Sequence, residues 1–116
     1  MKGIAGDKAR LHHILDAICE IENYIRNLTI DEFSGSSEKK FASVKQLEII
    51  GEAASKITKE TKSDHPDVEW IKIIALRNIL VHEYYVIDEI IVWNIITEDL
   101  PKLKEQIVSL TNRIID

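Results

Sequence analysis

An arginine, an amide, an imidazole and a phenol fall within the stretch Arg77-Asn78-Ile79-Leu80-Val81-His82-Glu83-Tyr84, inside a segment that is otherwise almost wholly apolar. The chemistry that suits this set is cleavage of RNA without a metal. A ribose 2′-hydroxyl attacks its own phosphate, a base takes its proton, an acid protonates the leaving 5′-oxygen, and a cation holds the charge that develops. His82 can act as base or acid near neutral pH, and Arg77 can clamp phosphate oxygens through two parallel hydrogen bonds. A core histidine beside a salt-bridged arginine is the plainer alternative for the same residue types.

If residues 68–83 form one helix, Asn78 and His82 lie one turn apart on the same face, with Arg77 about 140° from His82 but long enough to curl back. Ile73, Ile74, Leu76, Ile79, Leu80 and Val81 surround the polar groups, so the segment is expected to be largely buried. One chain offers one such histidine. An isologous homodimer that brings two copies of this helix face to face would supply two histidines and two arginines to a shared cleft.

The elements that must position this stretch all read as helices. Asp7 is placed to cap a first helix in which Leu11, Ile14, Leu15, Ile18, Ile21, Ile25 and Leu28 recur at steps of three and four. On its other face Arg10 reads as surface charge, and His12 and His13 near Asp16 as solvated residues rather than a metal pair. After a connection that tucks Phe33 inward, Ser34-Gly35-Ser36-Ser37 offers N-caps for a second long helix over about residues 38–60, expected to bury Phe41, Val44, Leu47, Ile50, Ala54 and Ile57. Gly51, Ala53 and Ala54 within it predict close approach of a neighbouring helix. Glu52 is either a partner for Arg77 or an exposed carboxylate.

Pro66 ends the preceding helix, His65 is expected to face solvent, and Asp67 is placed to cap the helix that carries Arg77. Asp88 is placed to cap a segment with Trp93, and Pro101 suits the first turn of a last helix, or a kink in one long helix, carrying Leu103, Ile107, Leu110 and Ile114. The sum is an all-α fold, an up-and-down bundle of four to five helices in one domain over 1–116.

Composition sets bounds on function. At 116 residues, 45% hydrophobic and 30% charged, with four glycines and two prolines, the chain has the make-up of a folded helical protein. Cys19 is the single cysteine, which excludes an intrachain disulfide and points to a reducing cytoplasm. No apolar run is long enough to span a bilayer, so no membrane association is expected. The net charge of −5 counts against non-specific grip on nucleic acid and leaves room only for a local basic cleft.

With these motifs placed, the chain resembles the HEPN superfamily and, within it, the HepT-like toxins that accompany a minimal nucleotidyltransferase antitoxin. The residues that carry the resemblance are Asp16-Ala17-Ile18, Leu47-Glu48-Ile49-Ile50-Gly51-Glu52-Ala53, Trp70, Arg77-Asn78-Ile79-Leu80-Val81-His82-Glu83-Tyr84, Asp88, Trp93 and Asp99-Leu100-Pro101. Ala75, Val86 and the pair Lys45-Gln46 depart from the usual pattern without removing a motif residue. The resemblance implies a two-fold homodimeric ribonuclease toxin that needs neither metal nor cofactor. Arg77 and His82 would be catalytic, Asn78 and Glu52 supporting. It also implies that Tyr84 is adenylylated by the antitoxin, and a nucleotide phosphate there would place bulk and negative charge where the RNA phosphate must sit. The competing expectation is a non-catalytic module of the same bundle type that binds nucleotide or RNA; a purely structural helical dimer leaves the polar cluster unexplained.

Overall fold

The computed structural model describes residues 2–78 and 88–114, with side chains over 6–78 and 88–114. Every regular element among them is helical: α1 (Lys2–Ile25), α2 (Ile30–Ser34), α3 (Ser37–Ser55), α4 (Lys59–Asp64) and α5 (Trp70–Ala75) with a 3₁₀ turn (Leu76–Asn78). Then come α6 (Glu89–Asn94), a π-helical stretch (Ile95–Asp99) and α7 (Leu100–Arg113), which follow one another without a break. The expected long helices are therefore cut more finely.

The three long helices make the frame, with α3 and α7 both laid against α1. The three-and-four spacing in α1 buries Leu11, Ile14, Ile18 and Ile21 completely, with Leu15 and Ile25 packed at the edge. Two residues past the end of α1, Asn27 adopts the left-handed conformation (φ 62°) that asparagine tolerates. Leu47 and Ile50 of α3 and Ile107 and Leu110 of α7 complete the centre, and Phe33 of α2 is buried as its position predicted, in tilted contact with Trp93 at 5.1 Å between ring centres. Lys104 of α7 reaches Glu22 of α1 at 2.9 Å, and that hydrogen bond, with the carboxylate's charge, raises the lysine's pKa. Two local caps hold as read: Ser36 accepts from the Lys39 amide, and Asp88 from those of Ile90 and Ile91. No helix is long and apolar enough to cross a membrane among the described residues.

Several expectations are corrected. Asp7 does not cap α1. It lies five residues inside that helix, fully buried, and accepts hydrogen bonds from the Thr58 amide (2.9 Å), the Thr58 hydroxyl (2.6 Å) and the Thr61 hydroxyl. The partners lie 51 and 54 residues away, so a local capping rule could not find them. The same contacts split the helix expected over 38–60: α3 stops at Ser55, and Thr58 opens α4 by accepting from the Thr61 amide. Asp67 caps nothing with its side chain. The cap position of α5 is Glu69, which makes no side-chain bond there, and the Asp67 carbonyl instead accepts from the Gln106 amide group at 3.0 Å. His65 is half-buried rather than solvent-facing, and its carbonyl accepts from the Trp70 indole at 3.0 Å. Phe41, expected in the core, is 51% exposed.

Helix α3 meets α5 and its 3₁₀ turn at Gly51, where small residues had predicted a close approach. A Cβ added at Gly51 would lie 2.5 Å from the Arg77 amide nitrogen and 3.0 Å from both the Arg77 Cβ and the Ile74 carbonyl oxygen. The backbones touch there because no side chain intervenes.

Two outcomes follow from these contacts. Asp7→Ala leaves the Thr58 amide and two hydroxyls without their acceptor and is expected to lower unfolding free energy by about 2–4 kcal/mol in a urea titration. Gly51→Ala should gain roughly 1 kcal/mol of helix propensity in an open helix, yet here overlap with the Arg77 backbone should make it destabilising by about 1–3 kcal/mol. A raised denaturation midpoint for Gly51→Ala would show that the α3 contact is not tight.

Candidate active site

Arg77 is held from its backbone outward. Trp70 and Ile73 on α5 and Leu76 in the 3₁₀ turn point inward and are buried, which fixes the short helix against α3. The turn then presents the next two side chains, Arg77 and Asn78, to solvent. This differs from the expected single helix over 68–83. Among the described residues the α-helix ends at Ala75, and Arg77 and Asn78 sit on tighter 3₁₀ backbone. The surface here is also more open than a buried segment: Ile71 is 87% exposed. A 3₁₀ stretch that continues an α-helix often marks a functional or strained position.

Glu52, one residue past Gly51, lies over the same turn. Its Oε2 stands 3.9 Å from Arg77 Nη1, with the arginine side chain 40% and the glutamate side chain 54% exposed. At that distance and exposure the ion pair is worth at most about 1 kcal/mol. Ser55 donates to the Glu52 carbonyl at 2.6 Å, tying down the last turn of α3. Among the described residues the guanidinium is thus rooted firmly and paired only weakly, a state in which its hydrogen-bond donors suit an oxyanion such as a phosphate.

His82 and Tyr84, and Tyr85 beside them, lie outside the described residues. The geometry therefore brings together Arg77, Asn78 and Glu52 from the expected set. It also shows a neighbouring feature that the sequence did not reveal. Arg10 and His13 of α1 line a cleft whose far wall is Glu52 and Lys56 at the end of α3. Arg10 had read as plain surface charge, and the helical period that marks its face as polar carries no information about what lies opposite.

Comparison with known proteins supplies the family. The model of the family described as ribonuclease HepT-like matches residues 14–110. A Methanocaldococcus jannaschii protein named as a candidate RNase is 36% identical over 100 residues, covering 86% of this chain and 92% of its own. A Thermococcus cleftensis protein named as a candidate ribonuclease HepT is 35% identical over 97 residues, covering 84% of this chain and 88% of its own. A candidate RNase of Caldanaerobacter subterraneus is 30% identical over 103 residues, or 89% of this chain and 92% of its own. No solved structure matches. The match spans α2 to α6 and the Arg77 turn together, with parts of α1 and α7, and the chain belongs to the HepT-like ribonuclease family.

Proposed function

We propose that this chain is a metal-independent endoribonuclease toxin that acts as a homodimer and is silenced by a nucleotidyltransferase antitoxin that adenylylates Tyr84. The observation that carries the ribonuclease part is the exposed Arg77 guanidinium, rooted against Gly51 and only loosely paired with Glu52, in a member of a ribonuclease family. In the proposed reaction Arg77 binds the non-bridging oxygens of the scissile phosphate and neutralises the charge that grows as the 2′-oxygen attacks. His82 of one protomer takes the 2′-hydroxyl proton, and His82 of the other donates a proton to the leaving 5′-oxygen. The phosphate closes on the 2′-oxygen as the bond to the 5′-oxygen breaks, which leaves a 2′,3′-cyclic phosphate and a free 5′-hydroxyl.

Asn78, exposed beside Arg77, is assigned to substrate positioning, and Glu52 to orienting the guanidinium before substrate arrives. Dimerisation is supported by apolar surface that one protomer leaves open. Ile90 is 60% and Ile91 48% exposed at the start of α6, and Phe41 lies beside Lys40, whose ammonium is 3.3 Å from Glu89 on α6. Exposed apolar side chains of this size suit a protein interface better than water.

The reaction is tested by incubating a defined RNA with purified protein in excess EDTA. Wild type is expected to leave cyclic phosphate ends, and Arg77→Ala and His82→Ala each to slow cleavage by about 100-fold or more. Cleavage that survives both substitutions, or that EDTA abolishes, would overturn the mechanism; RNA binding without cleavage by wild type would favour the non-catalytic binding module. Regulation is tested by intact mass after coexpression with a nucleotidyltransferase of the antitoxin class. An adenylyl adduct is expected on wild type and not on Tyr84→Phe, and an adduct that persists in the variant would place the modification elsewhere, Tyr85 being next.

A further inference from the structure

The geometry points to a second phosphate-binding subsite, in the cleft between α1 and the end of α3, that holds the backbone of single-stranded RNA beside Arg77. The inference rests on the ribonuclease reading and extends it to residues outside the motif. The cleft has a volume of about 530 Å³ and takes basic side chains from both walls, Arg10 and His13 from α1 and Lys56 from the C-cap of α3. Arg10 and His13 are three residues apart, hence on one helical face, and Glu52 and Lys56 are four apart on the facing helix. Gly6, Ala9 and Ala53, which also line it, are small, so the space between the two rows of polar groups stays open. The Arg10 guanidinium lies against Gly6 where any side chain would collide with it.

Charge singles this cleft out. The chain carries a net −5, and none of the other clefts among the described residues is lined by more lysines and arginines than carboxylates. The one between α5 and α7 sets Lys72 and Lys102 against Glu69 and Asp99, and a second beside α7 sets Arg113 and the His65 imidazole against Asp67 and Glu105. In the cleft between α1 and α3, two formal cations and an imidazole face the single carboxylate of Glu52, which is itself 3.9 Å from Arg77. Arg10, His13 and Lys56 make no side-chain hydrogen bond or ion pair with another described residue. Helix α3 ending at Lys56 accounts for that one cation through the helix dipole, but not for Arg10 and His13 turned toward the same space. Glu52 joins the two sites. A strand whose scissile phosphate sits on Arg77 passes the Glu52 edge directly into the cleft, where Arg10 and Lys56 meet neighbouring phosphates and the His13 ring offers a hydrogen bond or a stacking face.

The test compares wild type, Arg10→Gln with Lys56→Gln, and a charge-matched control, Lys72→Gln with Lys102→Gln, in two assays. One is binding of a short fluorescein-labelled single-stranded RNA carrying 2′-O-methyl riboses, followed by anisotropy across a salt series. The other is cleavage of the unmodified RNA. The cleft variant is expected to raise Kd on the order of tenfold, to lower the salt slope by about 1.4, and to raise KM with kcat unchanged; the control should stay near wild type. Equal weakening in both variants, or a cleft variant with unaltered Kd and slope on a wild type that binds and cleaves, would overturn the subsite alone. A wild type that neither binds nor cleaves RNA would overturn the ribonuclease reading and the subsite with it.

Discussion

The backbone contact between Gly51 and Arg77 is the constraint on which the candidate site depends. A glycine inside a helix is destabilising by about 1 kcal/mol relative to alanine, and at Gly51 that cost is offset by letting the 3₁₀ turn approach to a distance no Cβ would permit. Helix α5 spans Trp70–Ala75, far too short to be stable by itself. It exists because Trp70, Ile73 and Leu76 are buried and because the Trp70 indole is pinned to the His65 carbonyl. The root of Arg77 therefore inherits its position from α3, a helix that is itself packed along α1.

Two long-range tethers set the approach to that short helix. Asp7 fixes the start of α4 to α1, and Gln106 of α7 holds the Asp67 carbonyl just before α5. The first carries more energy. A buried carboxylate is tolerable only where its oxygens are satisfied, and the Thr58 amide and two threonine hydroxyls supply those partners. Lys62 stands near the same carboxylate, yet burial outweighs that attraction and lowers its pKa. The chain thus leaves α3 through a turn fixed at Thr58 and returns to α3 at Gly51 with Arg77 aimed outward.

What the sequence made legible follows from the range of each interaction. Periodic burial in α1 and α7 and the Ser36 and Asp88 caps depend on residues within a turn or two, and the small residues around Gly51 announce a close approach without naming its partner, Arg77; all of these were readable. The break after Ser55 was not, because Ile50, Ala54 and Ile57 keep the helical period across it while its cause, Asp7, lies in another helix. Asp7 was misread for the same reason. The 3₁₀ geometry of Leu76–Asn78 was hidden because three residues are too few for an apolar pattern to separate a period of 3.0 from one of 3.6. Phe41 was placed by hydropathy alone, and a hydropathy rule cannot distinguish a side chain buried in its own core from one left for another surface. Pairing of Glu52 with Arg77 was visible only as one of two alternatives, since sequence gives no distance.

Glu52 also shows how a carboxylate can belong in a site that must accept phosphate. A close, buried pair would hold Arg77 strongly and leave a substrate to pay for breaking it, whereas a half-exposed pair at 3.9 Å contributes at most about 1 kcal/mol and is readily exchanged. A phosphate offers the guanidinium two oxygens in the plane of its fork, a better partner than one distant carboxylate oxygen. The net charge of −5 works in the same direction. It weakens long-range attraction of RNA, so residence on the protein must come from short-range contacts at Arg77 and its surroundings rather than from a general positive field. Under the proposed function, an acidic chain would then discriminate among RNAs by how many phosphates reach those few cations at once.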